Sequence, residues 1–293
     1  MSPDRTAVIL MGYGSPTSLD EVPEFLSGIY EGRPVPDQAL NENMAKYSMF
    51  GGRSPSNAIL ESLEYKLSAH LGDLFIVRLA YKHWKPWIKD SIEDLSGIAG
   101  KIIGIPLFPF RSFNVEQSYR KQFDSICSKV GFDDTVFVNG FSDNTAFREM
   151  WKTIVTNTGY TNDDDTLFMF TAHSLPNCET EPEYSELFIR SVESVSRSCG
   201  LKNHTHVFQS QGKYGKNWCG PRADELANRL EGGIRRVVSV PIGFCYDHLE
   251  ILYDLDYLVG NSIRETGVEY VRSGLPNDSD GMISLLSEIV KKA

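Results

Sequence analysis

A histidine stands at the end of a strongly apolar stretch of the chain. Residues 167–176 read LFMFTAHSLP, so His173 follows a run of β-prone residues and precedes Ser-Leu-Pro, which cannot continue a strand. In an open α/β sheet, ligands bind in the crevice at the carboxyl ends of the strands. His173 is therefore a candidate site residue, although a lone histidine is more commonly a core residue bonded to a neighbouring carbonyl group.

A row of acidic residues follows another predicted strand, at 237–241. In the sequence IGFCYDHLEILYDLDYL that comes next, Asp247, Glu250 and Asp254 fall at i, i+3 and i+7, which places them on one face of a helix. Like charges on one stripe cost stability unless a cation or a proton is shared between them. The apolar neighbours of these acids favour a row that lines a cleft over an ordinary solvated face. If Glu250 faces His173 across that cleft, the pair could bind a divalent metal, move protons, or do both.

Aromatic residues at other strand ends predict the opposite wall of the cleft. Tyr13 occupies, in the first half of the chain, nearly the position that His173 has in the second. Further aromatic and basic residues follow two more predicted strands in YKHWKPW (81–87) and PLFPFRSF (106–113). Each aromatic residue taken singly is more often part of a core. Together they indicate a crevice for a large, flat, apolar ligand with anionic edges.

These residues are carried by a disguised tandem repeat. KIIGIP at 101–106 matches RVVSVP at 236–241, and AVILMGYGSP at 7–16 parallels LFMFTAHSLP in the second half. Short β runs alternate with helices of 10 to 18 residues, a pattern typical of parallel βαβ units. We therefore predict an α/β protein with two Rossmann-like domains, each built on a parallel sheet.

The repeat also predicts the domain organisation. We expect an N-terminal domain at 1–145 and a second domain at 146–274 that carries the histidine and the acidic row. Extra residues in the first half form an insertion at 17–54, expected to make a lip over the crevice. Residues 275–293 read as an amphipathic helix that packs back on the first domain.

Composition excludes several classes of function. The 293 residues carry a net charge of −10, which disfavours nucleic acid and anionic membranes as partners. The apolar run near the start is too short for a signal peptide, and no segment is long enough to span a membrane, so we expect a cytoplasmic protein. The five cysteines are scattered, odd in number and never in a C-x-x-C pair. This pattern does not indicate a disulfide framework, a thiolate zinc site or a C-terminal iron–sulfur cluster.

Several segments resemble the ferrochelatase family, lyases that insert ferrous iron into a porphyrin to make heme. FTAHSLP and GFCYDHLEILYDLD are similar to its two hallmark segments, and MGYGSP, GGRSPSNAI, EQSYRK and NWCGP are similar to its intervening motifs, in the same order. The resemblance covers nearly the whole chain. Tyr13, the compact length and the lack of C-terminal cysteines most resemble the soluble Gram-positive type, whose substrate is coproporphyrin III rather than protoporphyrin IX.

The resemblance implies roles for individual residues. It implies a chelatase-like fold of two four-stranded domains with the porphyrin between them. His173 and Glu250 would be the catalytic residues and metal ligands on the iron side. Asp254 would relay protons or metal. Residues expected to contact the porphyrin are Tyr13, Tyr30, Lys46, Tyr47, Ser54 and Tyr119. Ferrous iron is then a substrate, no prosthetic group or iron–sulfur cluster is expected, and we expect a monomer.

Two departures from the family pattern keep alternatives open. The acidic row of soluble members continues to a position that is Leu258 here, and a lip arginine of the family is Lys46 in this chain. An outer metal site is therefore not expected. Because the lip has fewer cations to pair with propionates, either a two- or a four-propionate porphyrin fits. A non-catalytic heme or metal carrier would also use Tyr13 and a cleft. A cobalt or sirohydrochlorin chelatase would share the fold and a histidine at a strand end.

Overall fold

Two parallel sheets of four strands each form the framework of the chain. A computed structural model describes residues 5–161, 163–212, 215–230 and 232–293. The strands of the first sheet, in chain order, are β1 (Thr6–Gly12), β2 (Phe75–Tyr81), β3 (Lys101–Pro106) and β4 (Asp134–Phe137). Those of the second sheet are β5 (Thr166–His173), β6 (Asn203–Gln209), β7 (Arg236–Val240) and β8 (Glu269–Arg272).

The two sheets have the same topology. The strand orders are β2-β1-β3-β4 and β6-β5-β7-β8, and every pairing is parallel. The central strands are almost entirely buried, as expected where helices cover both faces of a parallel sheet. The predicted duplicated α/β fold is therefore confirmed.

Helices flank the sheets and follow the repeat. Those of the first half are α1 (Val22–Ile29), α2 (Asp37–Met49), α3 (Ser56–Leu71), α4 (Ile88–Glu93) and α5 (Phe113–Val130). They are followed by α6 (Thr145–Thr156), α7 (Pro182–Cys199), a π-helix (Ile251–Val259), α8 (Gly260–Glu265) and α9 (Asp280–Lys292). Short 3₁₀ turns lie at Leu19–Glu21, Cys178–Thr180 and Ala223–Arg229.

The repeat predicts one helix pair well and the other only approximately. Helix α3 begins directly after Pro55, and the matching helix α7 begins with Pro182. Both end at a glycine, Gly72 (φ 78°) and Gly200 (φ 66°), whose positive φ closes the helix without a side-chain clash. The repeat also matches PWIKDSIEDL at 86–95 with PRADELANRL at 221–230, and each segment predicts a helix of about ten residues. The first of these helices is the short α4. Its counterpart after Pro221 is a 3₁₀ turn rather than an α-helix.

A continuous apolar core joins the two halves. One cluster of buried side chains runs from β1 and the lip helices through α6 and α7 to α9. Helix α9 packs against both α3 and α6, with Met282, Leu285 and Leu286 fully buried. Lys101 on β3 also donates to the carbonyl of Ala293 at 2.7 Å. The C-terminal helix thus contacts both halves, and the domain limits themselves remain a prediction from the repeat.

The chain has a disulfide that the cysteine pattern did not indicate. Cys178 and Cys219 are joined by a disulfide, although they are 41 residues apart, while Cys127, Cys199 and Cys245 are free. The loop after β5 and the segment after β6 bring the two cysteines together, and this tertiary contact leaves no local sequence pattern. Among the described residues, no helix has both the length and the apolar character needed to cross a membrane.

Candidate active site

His173 and Glu250 face each other at the carboxyl edge of the second sheet. His173 is the last residue of β5, and Glu250 lies in the first turn of the helix that follows the neighbouring strand β7. The Nε2 atom of His173 lies 3.6 Å from Oε2 of Glu250. Their side chains are 35% and 46% exposed, so both remain accessible from the cleft. The structure therefore brings together the pair that the sequence pattern suggested.

The charged forms of His173 and Glu250 stabilise each other. Burial disfavours the charged imidazolium, but the Glu250 carboxylate outweighs this cost and raises the pKa of His173 above its usual value. Nδ1 of His173 lies 2.6 Å from the carbonyl oxygen of Ser174, which favours a proton on Nδ1 and leaves Nε2 free to accept one. Burial alone would raise the pKa of Glu250, but attraction by His173, His248 and Lys46 lowers it to about 2. Glu250 is therefore ionised at neutral pH.

The pKa of Asp254 is shifted in the opposite direction to that of Glu250. Burial and the neighbouring Glu250 charge raise the pKa of Asp254 to about 6, while the hydroxyl of Ser210 donates a hydrogen bond to its carboxylate. A carboxyl group with a pKa near neutrality can accept and release protons readily. The pKa values of Glu250 and Asp254 thus differ although the two residues lie one turn apart, and Asp254 is the acid that takes up a proton more readily near neutral pH.

The π-helix begins directly after Glu250 and carries Asp254. Its hydrogen bonds run from i to i+5, so each turn is wider than in an α-helix and residues i and i+4 fall on nearly the same face. Short π-helical segments are frequent at functional sites. The sequence predicted an ordinary helix, because a π-helix has no distinct hydrophobic period.

The prediction that Asp247 belongs to the acidic row is wrong. Asp247 lies before the helix, in the connection from β7, so helical periodicity does not apply to it. Its carboxylate pairs with Arg272 at 2.9 Å and accepts from the Asn277 amide at 2.9 Å. The side chain therefore anchors the connection, and the row consists of Glu250 and Asp254.

Tyr13 lies on the facing wall, at the end of β1. Its ring is 40% exposed and packs against the His83 ring with centroids 4.6 Å apart. Burial of the hydroxyl and the negative charge of Glu250 both raise the pKa of Tyr13, so the two side chains are electrostatically coupled across the cleft. Tyr47 is buried below, with its hydroxyl 2.9 Å from Oγ of Ser15, and burial raises its pKa to about 12.

Lys46 and Ser54 connect the lip to the acidic helix. The ammonium group of Lys46 lies 4.5 Å from the ring centre of Tyr253, and its charge favours the ionised forms of Glu250 and Asp254. The hydroxyl of Ser54 accepts from the backbone N–H of Leu249 at 3.2 Å. The lip therefore supports the first turn of the helix that carries Glu250.

The predicted porphyrin contacts of Tyr119 and Tyr30 remain predictions, and the structure places these residues as follows. Tyr119 is only 2% exposed, and its hydroxyl donates to the carbonyl of Gly12 at 3.4 Å, so it supports the end of β1 from inside. Tyr30 is half-buried at the end of α1 and accepts from Arg33 through its backbone carbonyl. Within the described part of the chain, no hydrogen bond or ring contact joins Tyr30 to the other predicted site residues.

Two further histidines, His83 and His248, lie beside the site, and the sequence indicated only His248 as an additional donor next to the acidic row. Burial lowers the pKa of His248 to about 4, and its ring packs against Phe244 and Tyr246 beside Glu250. Burial and the Lys82 charge lower the pKa of His83 to about 4. The available signals were the position of His83 directly after β2, in YKHWKPW, and the position of His248 beside Glu250, in DHLE. Burial is what keeps both rings neutral, and it depends on tertiary packing.

The site offers a metal few protein ligands. Across the described residues, no group of three or more His, Cys, Asp or Glu side chains is arranged to hold a metal ion. His173 and Glu250 supply one nitrogen and one carboxylate donor, which leaves coordination positions open. Such a pair suits a metal that is passed on to another ligand better than one that is held permanently.

A family comparison decides between the classes of protein that such a site could serve. The ferrochelatase family model matches residues 5–293. The chain belongs to the ferrochelatase family. A ferrochelatase of Thermoplasma acidophilum is 39% identical over 99% of this chain and 91% of its own length. The coproporphyrin III ferrochelatase of Bacillus subtilis (strain 168) is 29% identical over 100% of this chain and 99% of its own length.

Solved structures with the same fold include other chelatases. The sirohydrochlorin chelatase SirB from Bacillus subtilis subspecies spizizenii, in complex with cobalt, aligns with a TM-score of 0.65 at 9% identity, covering 98% of this chain and 94% of SirB. CbiX, the terminal enzyme of siroheme biosynthesis in denitrifying bacteria, aligns with a TM-score of 0.62 at 13% identity, covering 99% of both chains. At such identities these structures support the fold alone. The family membership confirms the sequence-based prediction of an enzyme of the ferrochelatase type.

Proposed function

We propose that this chain inserts Fe(II) into a porphyrin held in its cleft, with His173 and Glu250 as the reacting residues. The observation that carries this proposal is the 3.6 Å approach of His173 Nε2 to Glu250 Oε2 at two adjacent strand ends, facing the exposed ring of Tyr13. Ferrous iron is a substrate in this reaction, and the protein needs no prosthetic group.

The chemistry requires a base and a metal ligand on the same face of the porphyrin. A free-base porphyrin must lose two N–H protons while hydrated iron exchanges its waters for ring nitrogens. In its neutral form His173 accepts a pyrrole proton at Nε2, and the adjacent Glu250 carboxylate stabilises the imidazolium that results. The same carboxylate can hold the incoming cation through an oxygen atom.

Asp254 carries protons away from the site during each turnover. With a pKa of about 6 it can take a proton from the His173–Glu250 pair and pass it to solvent, and the Ser210 hydroxyl holds its carboxylate in place. The alternation of an ionised Glu250 with a readily protonated Asp254 provides a path for protons away from the porphyrin. Iron moving along the same acids in the other direction would keep the local charge balanced.

The first half of the chain supplies the porphyrin-binding wall. Tyr13 presents an exposed ring suited to stacking on a flat macrocycle, while His83 and Phe25 pack against it and fix its position. Lys46 at the lip and Lys82 after β2 place cations near the cleft, where they could pair with propionates. A cytoplasmic, monomeric enzyme of the lyase class remains our expectation from the sequence.

Metal insertion is tested by incubating the purified chain with a free-base porphyrin and Fe²⁺ under anaerobic conditions, or with Zn²⁺. Turnover to metalloporphyrin, followed by absorbance and fluorescence, supports the proposal. Stoichiometric heme binding without metalation would instead identify a carrier. Metalation of sirohydrochlorin in preference to any porphyrin would identify the other class of chelatase.

The same assay identifies the porphyrin. Coproporphyrin III carries four propionates and protoporphyrin IX two, so a comparison of their kcat/KM values measures how many carboxylates the cleft can pair. We expect a higher kcat/KM for coproporphyrin III if Lys46 and Lys82 contact the additional propionates. Replacing Lys46 with Gln should then reduce the difference between the two substrates.

A further inference from the structure

The disulfide between Cys178 and Cys219 lies next to the catalytic histidine and has no part in the chemistry proposed so far. Cys178 is four residues beyond Ser174 in the loop that leaves β5, and Cys219 belongs to the segment that follows β6. The bond thus ties together two connections that leave the carboxyl edge of the second sheet. Both connections contact site residues.

The backbone around Cys219 holds the residues that follow His173. The carbonyl of Cys219 accepts from Oγ of Ser174 at 2.7 Å, and its N–H donates to the carbonyl of Leu175 at 3.0 Å. The carbonyl of Ser174 in turn lies 2.6 Å from Nδ1 of His173. The orientation of the imidazole therefore depends on Ser174, and the position of Ser174 depends on Cys219.

The same segment also reaches the acidic helix. Ser210, directly after β6, donates to the Asp254 carboxylate, and Gln211 donates to the Cys219 carbonyl at 3.1 Å. On the other side, the N–H of Cys178 donates to the Asn217 carbonyl at 2.8 Å. These contacts connect the flank of His173 to Asp254 through one stretch of chain, and the disulfide is the covalent bond within this network.

We propose that the Cys178–Cys219 disulfide positions His173 against Glu250, so that the oxidised chain inserts metal faster than the reduced chain. This inference rests on the proposed function, because it assigns the disulfide to the positioning of that function's base. Without the bond, the two connections are held only by hydrogen bonds and packing against the core, and the loop that carries Ser174 gains freedom. A positioned base contributes about 10²- to 10⁴-fold to a rate, so we expect reduction to lower kcat at least ~10-fold.

Reduction is chemically accessible from one side. Cys178 is half-buried next to the exposed Asn177, whereas Cys219 is 1% exposed. A dithiol, either a small molecule or a protein, can attack the Cys178 sulfur and release Cys219 as a thiolate. The second thiol of the reductant then closes its own disulfide, so two electrons and two protons pass to the cysteines. An ordinary disulfide oxidant reverses the exchange.

The test compares one preparation in its oxidised, reduced and reoxidised states. Excess dithiol is removed anaerobically before the assay, since thiols bind Zn²⁺, and thiol titration should count three free cysteines in the oxidised chain and all five in the reduced chain. We expect reduction to lower kcat for zinc insertion while the KM for porphyrin stays nearly constant, and reoxidation to restore kcat. A general loss of structure would instead change the far-ultraviolet circular dichroism and would not reverse in this way.

Variants separate the disulfide from the other cysteines. Cys178→Ser and the double variant Cys178→Ser/Cys219→Ser should have the kcat of the reduced chain and no response to dithiol. The control Cys199→Ser, which alters a partly exposed free cysteine, should keep the full response. An unchanged kcat after complete reduction, or five free thiols in the untreated chain, would overturn the inference. Neither result affects the proposed function, which fails only if the oxidised chain does not metalate porphyrin.

Discussion

The ion pair between His173 and Glu250 sets the protonation of the site. Because the Glu250 carboxylate outweighs the effect of burial, it raises the pKa of His173. A raised pKa in the folded chain means that this imidazolium stabilises the fold below the unfolded pKa and that the contribution is lost as the pH rises through the folded pKa. The rate of metal insertion should instead rise as the pH rises through this pKa, because only neutral His173 can accept a pyrrole proton.

Replacing Glu250 with Gln should therefore lower the pKa of His173. The amide keeps the shape of the side chain but removes the charge, which leaves burial as the dominant influence on the imidazole. Titration of the His173 ring by NMR should show the transition at lower pH than in the unmodified chain, and the acid limb of the residual activity should move the same way. A transition that does not move would mean that Glu250 does not control this histidine.

Ser54 acts at the scale of an element, since it holds the beginning of the helix that carries Glu250. Its hydroxyl accepts from the N–H of Leu249 and is itself only 8% exposed. Ser54→Ala leaves that donor unpaired in the interior, so we expect a loss of about 1–2 kcal/mol in the free energy of unfolding, measured with urea.

Ser196 provides the matched control for that substitution. It is 1% exposed, and its hydroxyl has no hydrogen-bond partner within the described part of the chain. Ser196→Ala removes a buried polar group and strands no donor, so the free energy of unfolding should stay the same or rise. Equal losses for the two variants would show that the bond from Leu249 to Ser54 contributes nothing.

The elements also show how far the sequence alone could predict the site. The strand that ends at His173 and the repeat that pairs β5 with β7 follow from apolar runs and their spacing, so the approach of His173 to Glu250 was predictable. The π-helix was not, because DHLEILYDLD also fits the period of an α-helix. Asp247 was assigned to the row for the same reason, although the helix begins after it.

Long-range packing accounts for the remaining differences. The Cys178–Cys219 bond links two loops that are adjacent only because β5 and β6 pair, and the low pKa values of His83 and His248 come from burial by distant segments. The burial of Tyr119, which is 2% exposed, is likewise set by packing that its motif does not show. Features of this kind become visible only when the fold is known.

At the scale of the whole molecule, Glu181 links the two halves. This residue is 2% exposed and precedes α7, and its carboxylate accepts from the N–H groups of Phe113 and Asn114 at 2.8 and 2.9 Å, at the beginning of α5. The hydroxyl of Ser112 lies 3.1 Å away. A carboxylate at a helix N-terminus is favoured by the helix dipole.

Loss of that carboxylate should destabilise the fold as a whole. Glu181→Ala leaves the Ser112 hydroxyl and two partly buried N–H groups without their acceptor, and we expect a loss of roughly 1–3 kcal/mol in the free energy of unfolding. The control is Glu183→Ala, which removes an exposed partner of Arg111 and should cost about 0–1 kcal/mol. If the Glu181 variant unfolds at the same denaturant concentration as the control, the link between the halves does not depend on this side chain.

The role of His173 is tested most directly by His173→Ala in the porphyrin metalation assay. His204→Ala is the matched control, because His204 also pairs with a glutamate, Glu193 at 3.4 Å, but lies near the opposite end of the sheet. We predict that His173→Ala lowers the kcat for Fe²⁺ or Zn²⁺ insertion by ~10²-fold or more while the chain remains folded, and that His204→Ala leaves it unchanged. Near-normal turnover by the His173 variant would contradict the proposed mechanism.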